Sequence, residues 1–362
     1  MKKKVLVLGC TGSIGTSTLD IIRSFPDLFE VAGLSAFTRK DELLKLSNEF
    51  GCTNIHYPDA KISIEHFIQE TAADITVNGI SGAAGLLPTV SALRAGMDVA
   101  LANKETIVTA GNLVLDLAKK CNRKILPVDS EHSAIFSLIE NFGTDAVETI
   151  ILTASGGPFK FMESHLLSKV KPQDALKHPT WNMGKKITID SATLANKGLE
   201  VIEASILFNK NGNNIKVVVH PESVVHSLIQ TKDGIIYAQL SPPDMKHPIL
   251  TALTYPSYQH NNLEKLDLSR QFSLSFLPPR FDDFPMLNLA YETIKSGGAY
   301  SIAYNAANEL AVQAFLEEKI LFTDIASITK IVLDQDWSMV CKDFSDVSEI
   351  DSLARKITGD LF

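Results

Sequence analysis

The sequence predicts an α/β protein with a parallel sheet at its N-terminus, an α+β region in its centre and a helical bundle at its C-terminus. Over residues 1–127, short apolar runs alternate with helical stretches, which is typical of parallel strands that are buried on both faces. Strand-like runs recur between residues 148 and 240, and apolar residues recur at helical spacing from residue 286 onward. These three patterns predict a three-part chain.

The composition is typical of a soluble globular enzyme with a large core. The chain has 362 residues, of which 45% are hydrophobic and 21% are charged, and this length predicts two or three domains. The net charge is −8 and no basic block occurs, so nucleic acid and anionic membranes are not expected as partners. Four well-separated cysteines without a CxxC motif, and no apolar run of about 20 residues, predict a cytoplasmic protein without a structural zinc site.

A glycine-rich turn follows the first predicted strand, Val5 to Leu8. Residues 9–15 contain three glycines at GxxGxxG spacing, and a helical stretch then runs to Pro26, where proline ends it. Strand, glycine-rich turn and helix form the context of a Rossmann-type dinucleotide site, although the usual spacing is GxGxxG. The alternative is a βα turn with a purely structural role.

The end of the second predicted strand, residues 31–35, indicates the type of dinucleotide. An NAD site favours an acidic residue there, whereas this chain has Arg39 and Lys40 and no acid before Asp41. Either cation could pair with a 2′-phosphate. The sequence therefore favours NADP, the alternative being a surface pair of cations without function.

The alternation of strands and helices continues to residue 128. Predicted strands over residues 74–78 and 97–101 are followed by a glycine-rich loop and by Lys104-Glu105. Loops at the carboxyl ends of such strands form the ligand crevice. Lys104 is thus a candidate cation near substrate or nicotinamide, or else a surface lysine that pairs with Glu105.

Two carboxylates follow the last strand of this series, residues 125–128. In an extended chain Asp129 and Glu131 would project to the same side. Paired carboxylate oxygens suit Mg²⁺ or Mn²⁺. The alternative is a solvated acidic loop at the end of a strand.

The central region offers a second group of polar residues. Ser155 and two glycines follow a strand predicted over residues 148–153, which suits an oxyanion or phosphate. The long loop that follows carries Trp181 and Met183, and it is either an active-site lid or a packed surface loop.

A helix is predicted from Ser191 onward. Asn196, Lys197 and Glu200 share one face of it, either as an ordinary ion pair on an amphipathic helix or as phosphate and metal ligands. Gly198 in its interior predicts a close approach by another group. Strands are predicted over residues 216–220 and 235–240, and His220 and His226 are expected to be hydrogen-bonded core or surface histidines.

The last hundred residues are predicted to be helical. Residues 257–281 lack periodicity and contain two adjacent prolines, so they are predicted to be a linker. Helices are predicted around residues 286–294 and 303–314, and a third is predicted over residues 324–333 with Thr323 as its cap.

Several stretches in the same order resemble the 1-deoxy-D-xylulose 5-phosphate reductoisomerase family of the non-mevalonate isoprenoid pathway. They are residues 12–15, 102–105, 128–132, 155–159, 178–184, 190–203, 220–227, 243–245 and 305–309. The resemblance implies an NADPH-binding domain over residues 1–127, a catalytic domain over 128–256 with a lid about 155–185, a linker over 257–281 and a helical domain over 282–362.

The resemblance also implies specific ligands. One divalent cation, Mg²⁺ or Mn²⁺ and by extension Co²⁺, would be bound by Asp129, Glu131 and Glu200. The predicted substrate-binding residues are Ser130, Glu131, Ser155, His178, Ser191, Asn196, Lys197 and Glu200. The predicted catalytic residues are Glu131, Lys104, His178 and Lys197. The predicted cofactor-binding residues are Thr11, Gly12, Ser13, Ile14, Arg39, Lys40, Asn103, Lys104, Glu105 and Gly184.

The implied reaction is a metal-dependent rearrangement of a sugar phosphate and then NADPH reduction to 2-C-methyl-D-erythritol 4-phosphate, in a homodimer. The chain departs from the family pattern at Ala36-Phe37-Thr38 after the second strand and at Glu222. The alternatives are a metal-dependent NADP dehydrogenase of another polyol phosphate and a non-catalytic nucleotide sensor.

Overall fold

The structure, a computed structural model, describes residues 1–181, 183–269 and 271–362. The chain forms two compact units. The first unit contains Met1–Thr106, Val114–Ser133 and Asp244–Glu264. The second unit contains Ile107–Leu113, Ala134–Pro243 and Lys265–Phe362. Asn182, in the predicted lid, and Arg270, in the predicted linker, lie outside the described residues.

The helices and strands follow one another in an order that begins with a regular alternation. In chain order they are β1 (Lys3–Leu8), α1 (Ser13–Ser24), β2 (Phe29–Ser35), α2 (Lys40–Phe50), β3 (Ile55–His56), α3 (Ile64–Glu70), β4 (Ile75–Asn78), α4 (Leu86–Arg94), β5 (Asp98–Leu101), α5 (Lys104–Lys120), β6 (Ile125–Pro127), α6 (Ser130–Phe142), β7 (Val147–Ala154), α7 (Pro172–Ala175), α8 (Lys185–Ala192), α9 (Ala195–Leu207), β8 (Ile215–Val219), β9 (Val225–Thr231), β10 (Ile236–Leu240), α10 (Lys246–Thr254), α11 (Met286–Ser296), α12 (Tyr300–Leu316), α13 (Asp324–Leu333) and α14 (Phe344–Gly359).

The first unit is built on a six-stranded parallel sheet in the order β3-β2-β1-β4-β5-β6. Residues Val5 to Leu8 of β1 are fully buried, as expected of a strand covered on both faces. The strand β1 pairs with β2 on one side and β4 on the other, so the strand order reverses there. Ligands bind at the carboxyl ends of strands near such a reversal. The predicted Rossmann-type sheet is confirmed.

The second unit contains a mixed four-stranded sheet in the order β10-β9-β7-β8. The strand β7 runs parallel to β8 and antiparallel to β9. The sequence did not predict β9, because its buried His226 and Ser227 conceal the apolar alternation of a strand. An isolated bridge also joins Val219 to Leu277.

The helix predicted from Ser191 differs from the observed one. Helix α8 already begins at Lys185, and α9 begins at Ala195 after Leu194, whose φ is +59°. Thr188 and Ile189 are β-branched, so the segment that contains them resembles a strand in the sequence. The helix α8 was therefore not predicted. The helices α11, α12 and α13 confirm the predicted C-terminal helices. Thr323 stands at the N-cap of α13 without a side-chain capping bond.

Helix α14 was not predicted, because only Val347, Ala354 and Thr358 are buried along its 16 residues. Its apolar stripe is too sparse to produce a clear helical period. Among the described residues, no helix combines the length and apolar character that crossing a bilayer requires.

The close approach predicted at Gly198 is confirmed, and the approaching group belongs to the protein. A Cβ atom at Gly198 would overlap the Tyr304 hydroxyl and would lie 3.0 Å from the Ala290 Cβ atom. The Tyr304 hydroxyl donates a hydrogen bond to the Met286 carbonyl oxygen over 3.1 Å. Gly198 therefore permits α9 to pack tightly on α11 and α12.

We expect Gly198→Ala to lower the free energy of unfolding by about 1–3 kcal/mol, the usual cost of overpacking a core. Urea unfolding followed by circular dichroism measures the change. Gly359→Ala is the matched control, because no heavy atom lies within 4 Å of a Cβ atom there. Adding Tyr304→Phe to Gly198→Ala should recover part of the loss. Wild-type stability of Gly198→Ala would contradict the packing account.

Candidate active site

The turn after β1 has the geometry of a dinucleotide-binding loop. Gly9 has a φ of +75°, and the Gly12 N–H donates to the Gly9 carbonyl oxygen over 2.9 Å. A Cβ atom at Gly15 would overlap that same carbonyl oxygen, so glycine is required there. Gly12 is the N-cap of α1, and it makes no side-chain capping bond. The first N–H groups of α1, beginning at Ser13 and Ile14, therefore fit an anionic pyrophosphate.

The two cations predicted for the 2′-phosphate are exposed beyond the end of β2. Arg39 forms an ion pair with Glu42 over 3.1 Å, and the Lys40 ammonium lies 4.0 Å from the centre of the Tyr57 ring. Exposed contacts of this kind are weak. Both cations can therefore exchange their present partner for a phosphate at little energetic cost.

Asn103 is held by the protein itself. Its amide donates to the carbonyl oxygens of Ile80 over 2.7 Å and of Gly82 over 2.8 Å. Its side-chain oxygen accepts the Thr106 N–H and so caps α5. Because these bonds tie the start of α5 to the loop after β4, they fix the position of the next residue, Lys104.

Lys104 is buried, with only 6% of its surface exposed, so its alternative interpretation as a surface lysine is wrong. Its ammonium forms an ion pair with the Asp129 carboxylate. The pair forms because β5 and β6 are neighbours in the sheet, with Leu101 opposite Pro127. Each residue follows the carboxyl end of one of these strands.

Asp129 and Glu131 come together in a way that the sequence did not predict. The strand β6 ends at Pro127 and α6 begins at Ser130, so the expected extended chain through Glu131 is wrong. Their carboxylate oxygens nevertheless lie within 4.8 Å of one another. The Ser130 hydroxyl donates to Glu131 over 2.6 Å. Two such carboxylates fit a hard divalent cation.

Neighbouring charges keep Asp129 ionised. Burial raises the pKa of the Asp129 carboxyl, but the charges of Lys104 and His132 outweigh burial and hold its pKa well below the ordinary value. The His132 ring nitrogen Nδ1 lies 3.9 Å from the Asp129 carboxylate. An ionised carboxylate is the form that a metal requires.

In the second unit, Ser155, His178 and Ser191 form a compact hydrogen-bonded cluster. The His178 Nε2 atom lies 3.0 Å from the Ser155 hydroxyl and 3.1 Å from the Ser191 hydroxyl. Gly157 follows with a φ of +65°, and a Cβ atom there would lie 2.7 Å from the Ser191 carbonyl oxygen. The glycine turn thus brings the end of β7 against the end of α8.

The hydrogen bonds of His178 define its tautomer. Its Nδ1 atom accepts the N–H groups of Thr180 over 3.1 Å and Trp181 over 2.9 Å, so the ring proton is on Nε2. Burial and the charge of Lys160 lower the pKa of His178 to about 4. A neutral ring that donates from Nε2 is therefore the dominant form at pH 7.

Helix α9 presents the other predicted ligands of the second unit. The Glu200 carboxylate is buried, accepts the Asn196 amide over 2.6 Å and forms an ion pair with Lys197. The prediction that Asn196, Lys197 and Glu200 share one face of a helix is therefore confirmed, since the first two both contact Glu200. Gly184 is the N-cap of α8.

Asp190 is a buried polar residue that sequence reasoning did not select. It accepts the Asn308 amide over 2.8 Å and pairs with Lys186 over 2.9 Å. These bonds hold α8 against α12 and so position the neighbouring Ser191. Asn308 lies in α12, whose buried residues are mostly apolar, and an amide among them was the available signal.

His220 and His226 are hydrogen-bonded within the protein, as predicted. The His220 Nε2 atom accepts the Val225 N–H over 3.2 Å, and its Nδ1 atom lies 2.8 Å from the Ser275 carbonyl oxygen and 3.1 Å from Glu222. The His226 Nε2 atom lies 2.9 Å from the Ser241 hydroxyl.

The parallel sheet and its glycine-rich turn place the chain among the Rossmann-type α/β folds. Family models confirm a more specific assignment. The 1-deoxy-D-xylulose 5-phosphate reductoisomerase model matches residues 5–66 and 60–111, and its C-terminal domain model matches residues 125–208. A second model, the DXP reductoisomerase C-terminal domain, matches residues 240–357. The chain belongs to the 1-deoxy-D-xylulose 5-phosphate reductoisomerase family.

Individual relatives agree over nearly the full length. The reductoisomerase of Treponema denticola is 49% identical, over 98% of this chain and 96% of the relative. That of Chlorobaculum tepidum is 49% identical over 90% of each chain. A solved DOX-P reductoisomerase in complex with NADPH, fosmidomycin and magnesium is 40% identical, with a TM-score of 0.92 over 99% of this chain and 98% of that one. The Zymomonas mobilis enzyme in complex with NADPH is 39% identical, with a TM-score of 0.91 over 100% and 99%.

The neutral state of His178 predicts a specific pH dependence of stability. Its pKa is about 4 in the folded chain and about 6.5 in an unfolded one. The unfolded state therefore binds more protons between these values, and the stabilising contribution is lost as the pH falls from about 6.5 to 4. We expect His178→Gln to lose less stability than wild type over this range in urea unfolding.

His165→Gln is the control, because His165 is exposed and pairs only with the exposed Glu163 among its described contacts. It should retain the wild-type slope. An NMR titration of the His178 ring that gives an ordinary histidine pKa would contradict this description of the cluster.

Proposed function

We propose that the chain converts 1-deoxy-D-xylulose 5-phosphate to 2-C-methyl-D-erythritol 4-phosphate, by a metal-dependent rearrangement followed by NADPH reduction. The observation that carries this proposal is the cluster of Ser155, His178 and Ser191 in a member of this family. Its hydroxyl and N–H groups suit a phosphate. A non-catalytic nucleotide sensor has no need of such a cluster, and the product of the assay below distinguishes a dehydrogenase of another polyol phosphate.

NADPH binds, in this proposal, at the turn after β1. The backbone of residues 11–14 receives the pyrophosphate at the start of α1. Arg39 or Lys40 receives the 2′-phosphate, which compensates for the absence of other cations in Ala36-Phe37-Thr38. Residues 103–105 and Gly184 complete the cofactor site. The bound cofactor supplies the hydride for the reduction.

One divalent cation is bound by Asp129, Glu131 and Glu200. The support is chemical, since all three offer carboxylate oxygens and the first two already lie within 4.8 Å of one another. We take Mg²⁺ as the cation, with Mn²⁺ and Co²⁺ as substitutes that accept the same oxygen ligands. The cation, when bound, acts as a Lewis acid toward the substrate oxygens.

The remaining residues bind and orient the substrate. The hydroxyls of Ser155 and Ser191 and the Nε2–H group of His178 bind the phosphate, together with Asn196 and Lys197. Ser130 binds the sugar end of the substrate next to Glu131. We assign the proton transfers to Glu131 and Lys104, which are close to the Asp129 carboxylate. Closure of a lid about residues 155–185 excludes water from the reaction.

We further propose that two copies of the chain associate. The edge strand β10 exposes Ile236 and Leu240, and an exposed apolar edge strand is suited to pairing with another chain. The four cysteines are free, which agrees with a cytoplasmic location. The domain boundaries given by the resemblance, at residues 127, 256 and 281, belong to the same proposal.

The decisive assay incubates the protein with deoxyxylulose phosphate, Mg²⁺ or Mn²⁺, and NADPH, and identifies the product by NMR. We expect the branched product, slower turnover with NADH, and a loss of about a hundredfold or more in kcat for Glu200→Gln, because a metal ligand loses its charge. Glu70→Gln, at an exposed glutamate outside the proposed site and lid, is the control and should keep wild-type turnover.

Three outcomes would overturn parts of this proposal. An unrearranged product would indicate a dehydrogenase of polyol phosphates. No metal-dependent NADPH oxidation would indicate a nucleotide sensor. Full activity of Glu200→Gln would remove Glu200 from the metal site.

A further inference from the structure

The phosphate cluster of the second unit contains little positive charge. A phosphate ester carries nearly two negative charges at neutral pH. Ser155 and Ser191 are neutral, and His178 donates from Nε2 as a neutral ring. Lys197 is the cation of the proposed phosphate ligands, and its ammonium is paired with Glu200. A bound dianion would therefore benefit from a further cation.

Lys160 is positioned to supply that charge. Its side chain packs on Gly156, the residue after Ser155, because the Lys160 Cβ and Cδ atoms lie 3.0 Å from the position that a Gly156 Cβ would occupy. Its ammonium is close enough to His178 to lower the pKa of that ring. Lys160 and Gly156 both line a cavity of about 140 Å³ in the second unit.

The Lys160 ammonium forms no ion pair within the part of the chain that the structure describes. The ammonium lies 5.6 Å from the centre of the exposed Phe161 ring. Burial lowers the pKa of Lys160, and the Glu222 carboxylate opposes this shift. A half-buried lysine in this state gains by binding an anion.

Arg280 fixes the backbone from which Lys160 projects. Its guanidinium donates to the carbonyl oxygens of Phe159 over 3.4 Å and Lys160 over 3.1 Å, and Asp283 holds it in place over 2.7 Å. Phe159 is buried and packs edge-on against Phe322. The Lys160 end of the segment that begins at Ser155 is thus fixed.

We propose that Lys160 is a further substrate-binding residue, whose ammonium pairs with the phosphate held by Ser155, His178 and Ser191. This assignment rests on the proposed function for the identity of the phosphate ester. It requires only that a phosphate binds at this cluster.

The test compares Lys160→Met with wild type on two substrates, 1-deoxy-D-xylulose 5-phosphate and 1-deoxy-D-xylulose, which lacks the phosphate. We expect the kcat/KM for the phosphorylated substrate, divided by that for the unphosphorylated one, to fall about 10- to 100-fold in Lys160→Met. This is the loss expected when a hydrogen bond to a charged group is removed. Lys160→Arg should retain most of the ratio. Lys342→Met removes the same charge at an exposed lysine outside the proposed lid and should leave the ratio unchanged.

Binding of inorganic phosphate, followed by ³¹P NMR, tests Lys160 without any turnover. We expect Lys160→Met to bind it at least about tenfold more weakly than wild type and Lys342→Met. Equal binding and an unchanged ratio in a folded Lys160→Met protein, checked by circular dichroism, would overturn the assignment. If wild type does not turn over deoxyxylulose phosphate, the proposed function fails, and the phosphate titration alone decides the role of Lys160.

Discussion

The buried ion pair of Lys104 and Asp129 is the interaction on which the chemistry of the first unit depends. Removing two charges from water costs several kcal/mol for each ion, and only a close partner offsets that cost. The pair of Lys197 and Glu200 repeats the arrangement on α9. Lys104 keeps the buried Asp129 carboxylate ionised. The fold therefore provides an ionised Asp129 carboxylate, which a divalent cation can bind without first displacing a proton.

The rest of the structure supports these charges through the backbone. The parallel register of β5 and β6 sets Lys104 beside Asp129, and the bonds of Asn103 fix the start of α5. In the second unit, the break at Leu194 separates α8 from α9, so that Ser191 ends one helix while Lys197 belongs to the next. Arg280 and Asp190 each hold a segment of the proposed phosphate site through partners far away in the sequence.

The parts of the structure that sequence reasoning predicted are those with a local signal. The turn after β1 was predictable because its glycines stand between an apolar strand and a helix, and α13 was predictable from its apolar period. The strand β9 was not predicted, because buried polar residues interrupt its apolar alternation. The helix α8 was not predicted, because its β-branched residues are typical of a strand. The contact of Asp190 with Asn308 joins residues 118 positions apart, and no local pattern encodes it. A phosphate-binding role was predicted for Ser155 from its glycine turn, whereas its association with His178 was predicted only through the family resemblance.

The central claim is that the Asp129 carboxylate, kept ionised by Lys104, is a ligand of a divalent cation. Titration of the protein with Mn²⁺, followed by electron paramagnetic resonance of the free ion, tests it directly. The account predicts that Asp129→Asn weakens Mn²⁺ binding about tenfold or more. It also predicts that Lys104→Met raises the pKa of Asp129, so that Mn²⁺ binding is lost at a higher pH than in wild type when the pH is lowered. Wild-type Mn²⁺ affinity in a folded Asp129→Asn protein would contradict the account.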